Sequence, residues 1–326
     1  MRSKHVIFNP SVFQGEVTKK NYFEGWYFKN VSSDGGNVLS FIPGISTAGK
    51  PHAFIQMFDG RTGETEYFEF NLSDFTATKD KFEIRIHDNI FSDLGFSLDI
   101  DRQGRRIMAN IEFSNITPYP VSLQTPGIMG WYRYMPFMEC YHGVVSVNHF
   151  LKGSVIIDEK IYNFNKGKGY IEKDWGVSFP ECWIWLQGNC FAQQDTCIML
   201  SIAKIPFLGR SFVGFICFAN VDGKLYRFMT YTGAKLRHIE LANDILQVTV
   251  SDSQYEIIIR AKHTEGKLLI APVKGSMERN IKESLDSVVD FELKHKNGAT
   301  IYKGSSERAG LEVTGDIITL ANQSIK

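Results

Sequence analysis

The chain has 326 residues, 43% of them hydrophobic and 13% aromatic, enough to bury a core in each of two moderate domains. Its 36 basic and 36 acidic residues cancel, which argues against nucleic acid as a partner, because such proteins usually present a net positive face. The five cysteines (Cys140, Cys182, Cys190, Cys197 and Cys217) are odd in number and form no CxxC pair, so neither a disulfide framework nor a zinc knuckle is expected.

The opening residues carry no apolar stretch behind their basic side chains, so no signal peptide is expected. With no run of roughly 18 apolar residues to span a membrane and no sign of disulfides, a cytoplasmic protein is the expectation. Residues 21–29 read as a strand that sets Tyr22, Glu24, Trp26 and Phe28 on one face. A carboxylate among aromatics has two readings. Desolvation raises its pKa and keeps it as an acid, or it pairs with an Arg or Lys at a barrel mouth.

Further along, turn signals at Asp34-Gly35-Gly36, Asp59-Gly60, Gln103-Gly104, Asp222-Gly223 and Asn297-Gly298 separate apolar or alternating runs, as hairpins require. Residues 68–72, 82–86, 96–100 and 107–113 form a regular series of predicted strands, which favours a barrel or sandwich over alternating strands and helices. Residues 117–138 break this pattern with Pro118, Pro120, Pro126 and Pro136 and the aromatics Trp131, Tyr132, Tyr134 and Phe137. So long a loop is usually functional or a linker, and its aromatics predict a lid folded over the protein.

Just beyond it, Glu139 and His142 precede an apolar strand, and either is a candidate proton donor; histidine titrates nearest neutral pH. Cys140 lies beside both without a base that marks it as a nucleophile. Tyr170-Ile-Glu172-Lys-Asp-Trp175 echoes Tyr22-Phe-Glu24-Gly-Trp26, which suggests duplicated barrels meeting near residue 150. In extended form Tyr170, Glu172 and Asp174 face one way. Trp183, Trp185, Gln187 and Asn189 likewise share a face, with Ile184 and Leu186 on the other, and the first set reads as a pocket wall with an apolar end and a hydrogen-bonding end. The apolar Ile205-Pro-Phe-Leu208 segment suggests peripheral membrane contact. Met277, Ile281, Leu285 and Val288 fall near helical spacing and predict one helix at 277–289.

Several of these phrases together resemble the tocopherol cyclase family. They are Tyr22-Phe-Glu-Gly-Trp-Tyr-Phe-Lys29, Met129-Gly-Trp131, Tyr170-Ile-Glu-Lys-Asp-Trp-Gly176, Ser178-Phe-Pro180, and Trp183-Ile-Trp-Leu-Gln187 with Asn189. The resemblance implies an all-β chain of two lipocalin-like (calycin-type) antiparallel β-barrels in tandem, divided here into residues 1–150 and 151–326. Related carotenoid hydratases carry an Asp-His pair roughly where this chain has Glu172-Lys173, a departure that argues against histidine-based hydration.

The family's chemistry closes a chroman ring by protonating a prenyl double bond, after which the phenolic oxygen captures the tertiary cation. It implies a dry general acid, an aromatic wall and a polar anchor, with no metal and no cofactor. Glu172 and Asp174 are the leading acids, followed by Glu24, Glu139 and His142. Tyr170, Trp26, Trp131, Trp175, Trp183 and Trp185 would line the ligand, and Gln187 and Asn189 would anchor its head group. The expected ligand is a small hydrophobic isoprenoid or prenylquinol. A lipocalin-like carrier of such a ligand without chemistry is the competing expectation. A glycan-processing protein would also use Trp platforms and paired carboxylates, in an open cleft that the apolar lid disfavours.

Overall fold

Alternating apolar and polar residues between the turn dipeptides fold as antiparallel strands almost throughout. The computed structural model describes residues 4–324 except Phe137 and Leu208. The chain divides into two units. The first runs to Phe179 and includes Leu269–Asn280; the second holds Pro180–Leu268 and the chain from Ile281 onward.

In the first unit the strands are β1 (Phe23–Val31), β2 (Val38–Ser46), β3 (His52–Asp59), β4 (Thr65–Asn71), β5 (Phe75–Ala77) and β6 (Glu83–Ile86). They continue with β7 (Asn89–Ser92), β8 (Gly95–Arg102), β9 (Arg105–Pro118), β10 (Cys140–Ile157), β11 (Lys160–Asn163) and β12 (Gly167–Gly176). Their order is β4-β3-β2-β1-β12-β10-β9-β8-β7-β6-β5, with β11 against β10. Here β12 inserts between β1 and β10 and joins the β1–β4 and β5–β10 runs into one antiparallel sheet, the first lipocalin-like barrel. Its interior is filled by phenylalanines: Phe28 lies 5.2–6.2 Å, centroid to centroid, from Phe82, Phe91, Phe96 and Phe113. Such aromatic packing makes the lumen a core rather than a cavity.

The second unit contains β13 (Trp183–Gly188), β14 (Cys197–Phe207), β15 (Arg210–Val221), β16 (Lys224–Met229), β17 (Lys235–Ala242), β18 (Ile245–Ser251) and β19 (Tyr255–Lys262). Most of β20 (Lys267–Val273) and the start of β21 (Ser276–His295) fall in the Leu269–Asn280 part of the first unit, while the rest of β21 and β22 (Thr300–Thr314) belong to the second. The order is β16-β15-β14-β13-β22-β21-β19-β18-β17, again antiparallel. Ile184, Leu186, Leu200, Val248, Ile259 and Phe291 belong to its core, which a short C-terminal helix, α1 (Ile317–Ser324), caps with Leu320. Two-residue turns close two hairpins: Gln103-Gly104 has φ of 55° and 77°, and Asp222-Gly223 has 51° and 73°. Paired positive φ values match the right-handed twist of the flanking strands.

Three expectations are corrected. A boundary near residue 150 would cut β10 in its middle, and β12 belongs to the first barrel because its whole length hydrogen-bonds β1. The two echoing motifs are therefore not equivalent pieces of two barrels. They are neighbouring strands of one sheet, with Glu24 opposite Trp175 and Tyr27 opposite Glu172. The predicted helix at 277–289 is instead part of β21, which pairs with β22. From Ile281 onward its burial follows a strand's alternation, shifted by irregular register between Ser284 and Val289. The four-residue spacing of Met277, Ile281 and Leu285 suits one face of a strand as well as one face of a helix.

Candidate active site

The β1–β12–β10 register sorts the chemically interesting residues onto two faces. Glu24, Trp26, Ile171, Lys173 and Trp175 share the face of Phe28, inside the first barrel. Tyr170, Glu172 and Asp174 share the other face with His142, since His142 pairs with Asp174 and Val144 with Glu172.

On the inner face Glu24 is fully buried and forms an ion pair with the equally buried Lys173, at 2.5 Å. It also accepts hydrogen bonds from the backbone N–H of Gln14 (2.8 Å) and Gly15 (2.9 Å) and from the Tyr22 hydroxyl. Burial pushes the Lys173 ammonium down to about 8, against the pull of Glu24. The Lys173 cation sits 4.3 Å from the Trp26 ring centre and 5.1 Å from that of Trp175. Trp26 donates to the carbonyl of Ser11, and Lys173 to that of Val12, so the N-terminal segment is bound into this end of the barrel. Glu24 thus follows the second sequence reading, a carboxylate paired with a lysine. It lies across the sheet from Glu172 and Asp174 rather than beside them.

The outer face carries a different set. The Nδ1 of His142 lies 3.0 Å from Asp174, and its Nε2 lies 3.6 Å from Oε2 of Glu172. The Tyr170 hydroxyl donates to the same Glu172 oxygen at 2.6 Å. Tyr170 and Glu172 are buried, His142 and Asp174 are partly so, and the Cys140 thiol lies 3.8 Å from Asp174. Burial alone lowers the imidazole pKa, but the charges of Asp174 and Glu172 outweigh it and hold His142 up to about 9. The Cys140 thiol is pushed up by burial and then by Asp174, so it stays protonated.

Among the described residues, His142, Glu172 and Asp174 are the set whose donor atoms come close enough for one ion, all within 4.8 Å. The imidazole, however, turns a different nitrogen to each carboxylate. The Nδ1 contact with Asp174 is a hydrogen bond, whereas Nε2 faces Glu172 at ion-pair distance with no hydrogen-bond partner among the described residues. The histidine beside these carboxylates comes from the adjacent strand β10, and Lys173 points to the other face.

The remaining predicted residues divide between the units. Glu139 is exposed and outside this cluster, while its carbonyl accepts from Val177 N–H at 2.7 Å. Trp175 stacks on Tyr141 inside the barrel, with rings 5.6 Å apart, and its indole N–H has no hydrogen-bond acceptor among the described residues. Trp131 is exposed on the segment between β9 and β10 and stacks on Tyr132 at 4.0 Å. In the second unit Trp183, Trp185, Gln187 and Asn189 are all buried, on the face of β13 away from the core that takes Ile184 and Leu186. Trp183 donates its indole N–H to Glu312, which lies opposite the buried Glu283 on β21. Those two glutamates escaped the sequence reading, Glu283 because its segment scanned as helix. Lys173 could have been found, since strand alternation turns it away from Glu172 and Asp174.

Two antiparallel barrels, with a partly buried imidazole–carboxylate cluster on the non-core face of the first, define a lipocalin-like β protein with coupled acid–base groups. Residues 95–315 match the family described as tocopherol cyclase-like, and the chain belongs to that family. It is 26% identical over 207 residues to the probable chloroplastic tocopherol cyclase of Oryza sativa subsp. japonica, a match covering 57% of this chain and 42% of that protein. The chain thus matches less than half the length of that relative. Among solved structures, CghA with Sch210972 superposes with a TM-score of 0.55 at 10% identity, over 90% of this chain and 89% of that one. Kievitone hydratase from Nectria haematococca superposes with a TM-score of 0.50 at 8% identity, over 93% of this chain and 94% of that one. At such identities the two structures share the fold. No helix among the described residues is long and apolar enough to cross a membrane.

Proposed function

We propose that the chain is an acid catalyst of the tocopherol cyclase type, closing a ring on a prenylated hydroquinol or related isoprenoid. The observation that carries this reading is the imidazole of His142 held between Glu172 and Asp174 on a buried face of the sheet. The cluster supplies a proton to the less substituted carbon of a trisubstituted alkene, leaving a tertiary cation. The phenolic oxygen then forms the C–O bond, and its proton returns to the cluster. Atoms and charge balance without an oxidant or reductant, because product and substrate are isomers. Glu172, the more buried carboxyl and oriented by Tyr170, is the favoured relay to substrate: it takes the proton carried by His142 and passes it to the alkene, and Asp174 on the partly exposed side keeps the imidazole supplied.

The test is turnover of a prenylated hydroquinol by the purified chain and by Glu172→Gln, Asp174→Asn and His142→Gln. A fall of about 100-fold or more is expected for Glu172→Gln. Tight binding of the quinol with no ring closure by the unaltered protein would replace this reading with that of a carrier.

A further inference from the structure

The segment joining β9 to β10 exposes apolar side chains that the cluster chemistry does not use. Val121 is 46% exposed, Leu123 79%, Trp131 43% and Tyr134 42%. Leu123, Trp131 and Tyr134 come together, with Val121 two residues before Leu123. Trp131 and Tyr134 stand three residues apart on the 3-10 turn Gly130–Tyr134, where such positions eclipse each other. The Tyr134 hydroxyl donates to the carbonyl of Leu123 at 2.8 Å, which brings the second half of the patch to the first.

The patch is held rather than loose. Ser122 N–H bonds the Thr125 carbonyl at 2.9 Å, and Gly127 N–H bonds the same carbonyl at 2.8 Å. Prolines at 118, 120, 126 and 136 further limit the backbone. The segment's inner side is fastened beside the candidate site. Met129 Sδ accepts the backbone N–H of His142 at 3.0 Å, the Met135 carbonyl accepts the Tyr141 hydroxyl, and the Arg133 side chain is buried on Gln14 and Val6.

Charge narrows the partner. From Thr117 to Met138 the sequence has no Asp or Glu, and its one charged residue is Arg133, which is buried. A protruding leucine and valine beside half-exposed Trp and Tyr rings, with no charge, is the residue set that favours a lipid–water interface. Lacking a basic cluster, it has no preference for anionic lipid. We propose that residues 121–134 seat on the surface of a neutral lipid bilayer, with Val121 and Leu123 among the acyl chains and Trp131 and Tyr134 at the head-group level. The proposal goes beyond the ring-closure reading and does not depend on it.

Sedimentation with phosphatidylcholine vesicles tests it. The full chain is expected to pellet with the vesicles equally at low and high salt, and brominated lipid should quench a tryptophan signal that Trp131→Phe removes. Leu123→Asp should lower the partition coefficient at least about tenfold, with an unchanged far-ultraviolet spectrum. If that variant misfolds, the pair Val121→Ser and Leu123→Ser takes its place, with a smaller loss. Failure of the unaltered chain to bind neutral vesicles, or equal binding by the variants, would overturn the proposal. A lipid-free dimer that Leu123→Asp makes monomeric, with no vesicle binding, would also overturn it and assign the patch to a second copy of the chain. Turnover in detergent, where no bilayer is needed, reports on the ring-closure reading separately.

Discussion

His142 and Asp174 face one another across the β10–β12 pair, with the imidazole Nδ1 3.0 Å from the carboxylate. Their strands place them in register, so a proton-sharing pair arises from sheet pairing between residues 32 positions apart in the chain.

The first prediction concerns that proton. The imidazole of His142 is held up to about 9, above its ordinary value of 6.5, so the folded state binds its proton more tightly than the unfolded chain. Its contribution to stability is present in full below pH 6.5 and is lost as pH rises through 9. Nuclear magnetic resonance titration should place the His142 midpoint well above 8 in the unaltered chain and lower in Asp174→Asn. An unchanged midpoint in that variant would remove Asp174 as the cause.

His149 behaves in the opposite sense. Burial pulls its pKa down to about 3, so it is neutral in the fold and the unfolded chain takes up the proton first. Stability should therefore fall as the pH drops from 6.5 towards 3, by at most about 1.4 kcal/mol per pH unit from this group. Urea melts at a series of pH values should show a shallower acid slope for His149→Gln.

The inner ion pair makes a third test. Glu24 and Lys173 are both fully buried, and removing one partner leaves the other's charge uncompensated. Glu24→Gln and Lys173→Met should each destabilise the chain by roughly 3–5 kcal/mol, and the double variant by less than their sum. Denaturant unfolding with all three chains measures that coupling.

A fourth concerns Gly169, whose added Cβ would come within 2.1 Å of the His149 ring. Gly169→Ala should cost a few kcal/mol, within the overpacking range of about 1–3 kcal/mol or somewhat above. Combined with His149→Ala, which vacates that space, it should cost less than the two single changes added together. Thermal melting of the four proteins decides this.

Much of the strand pattern was legible because period-2 alternation and turn dipeptides are local properties. Gln103-Gly104 and Asp222-Gly223 needed no tertiary information to close their hairpins. Tyr170, Glu172 and Asp174 on one face, and Trp183, Trp185 and Gln187 on another, followed from alternation alone. The long strand β21 reads as a helix because Met277, Ile281 and Leu285 recur every four residues, a spacing shared by one face of a strand and one face of a helix.

By itself the sequence determined the all-β class, the hairpins and which neighbours within a strand share a face, since these follow from backbone geometry over a few residues. Only the tertiary structure decided that β12 lies between β1 and β10. That placement sets Glu24 against Lys173 within the barrel and brings His142 to Glu172 and Asp174 on the opposite face. Strand order and register join residues far apart in the chain through backbone hydrogen bonds that every residue can make, so no local pattern specifies them.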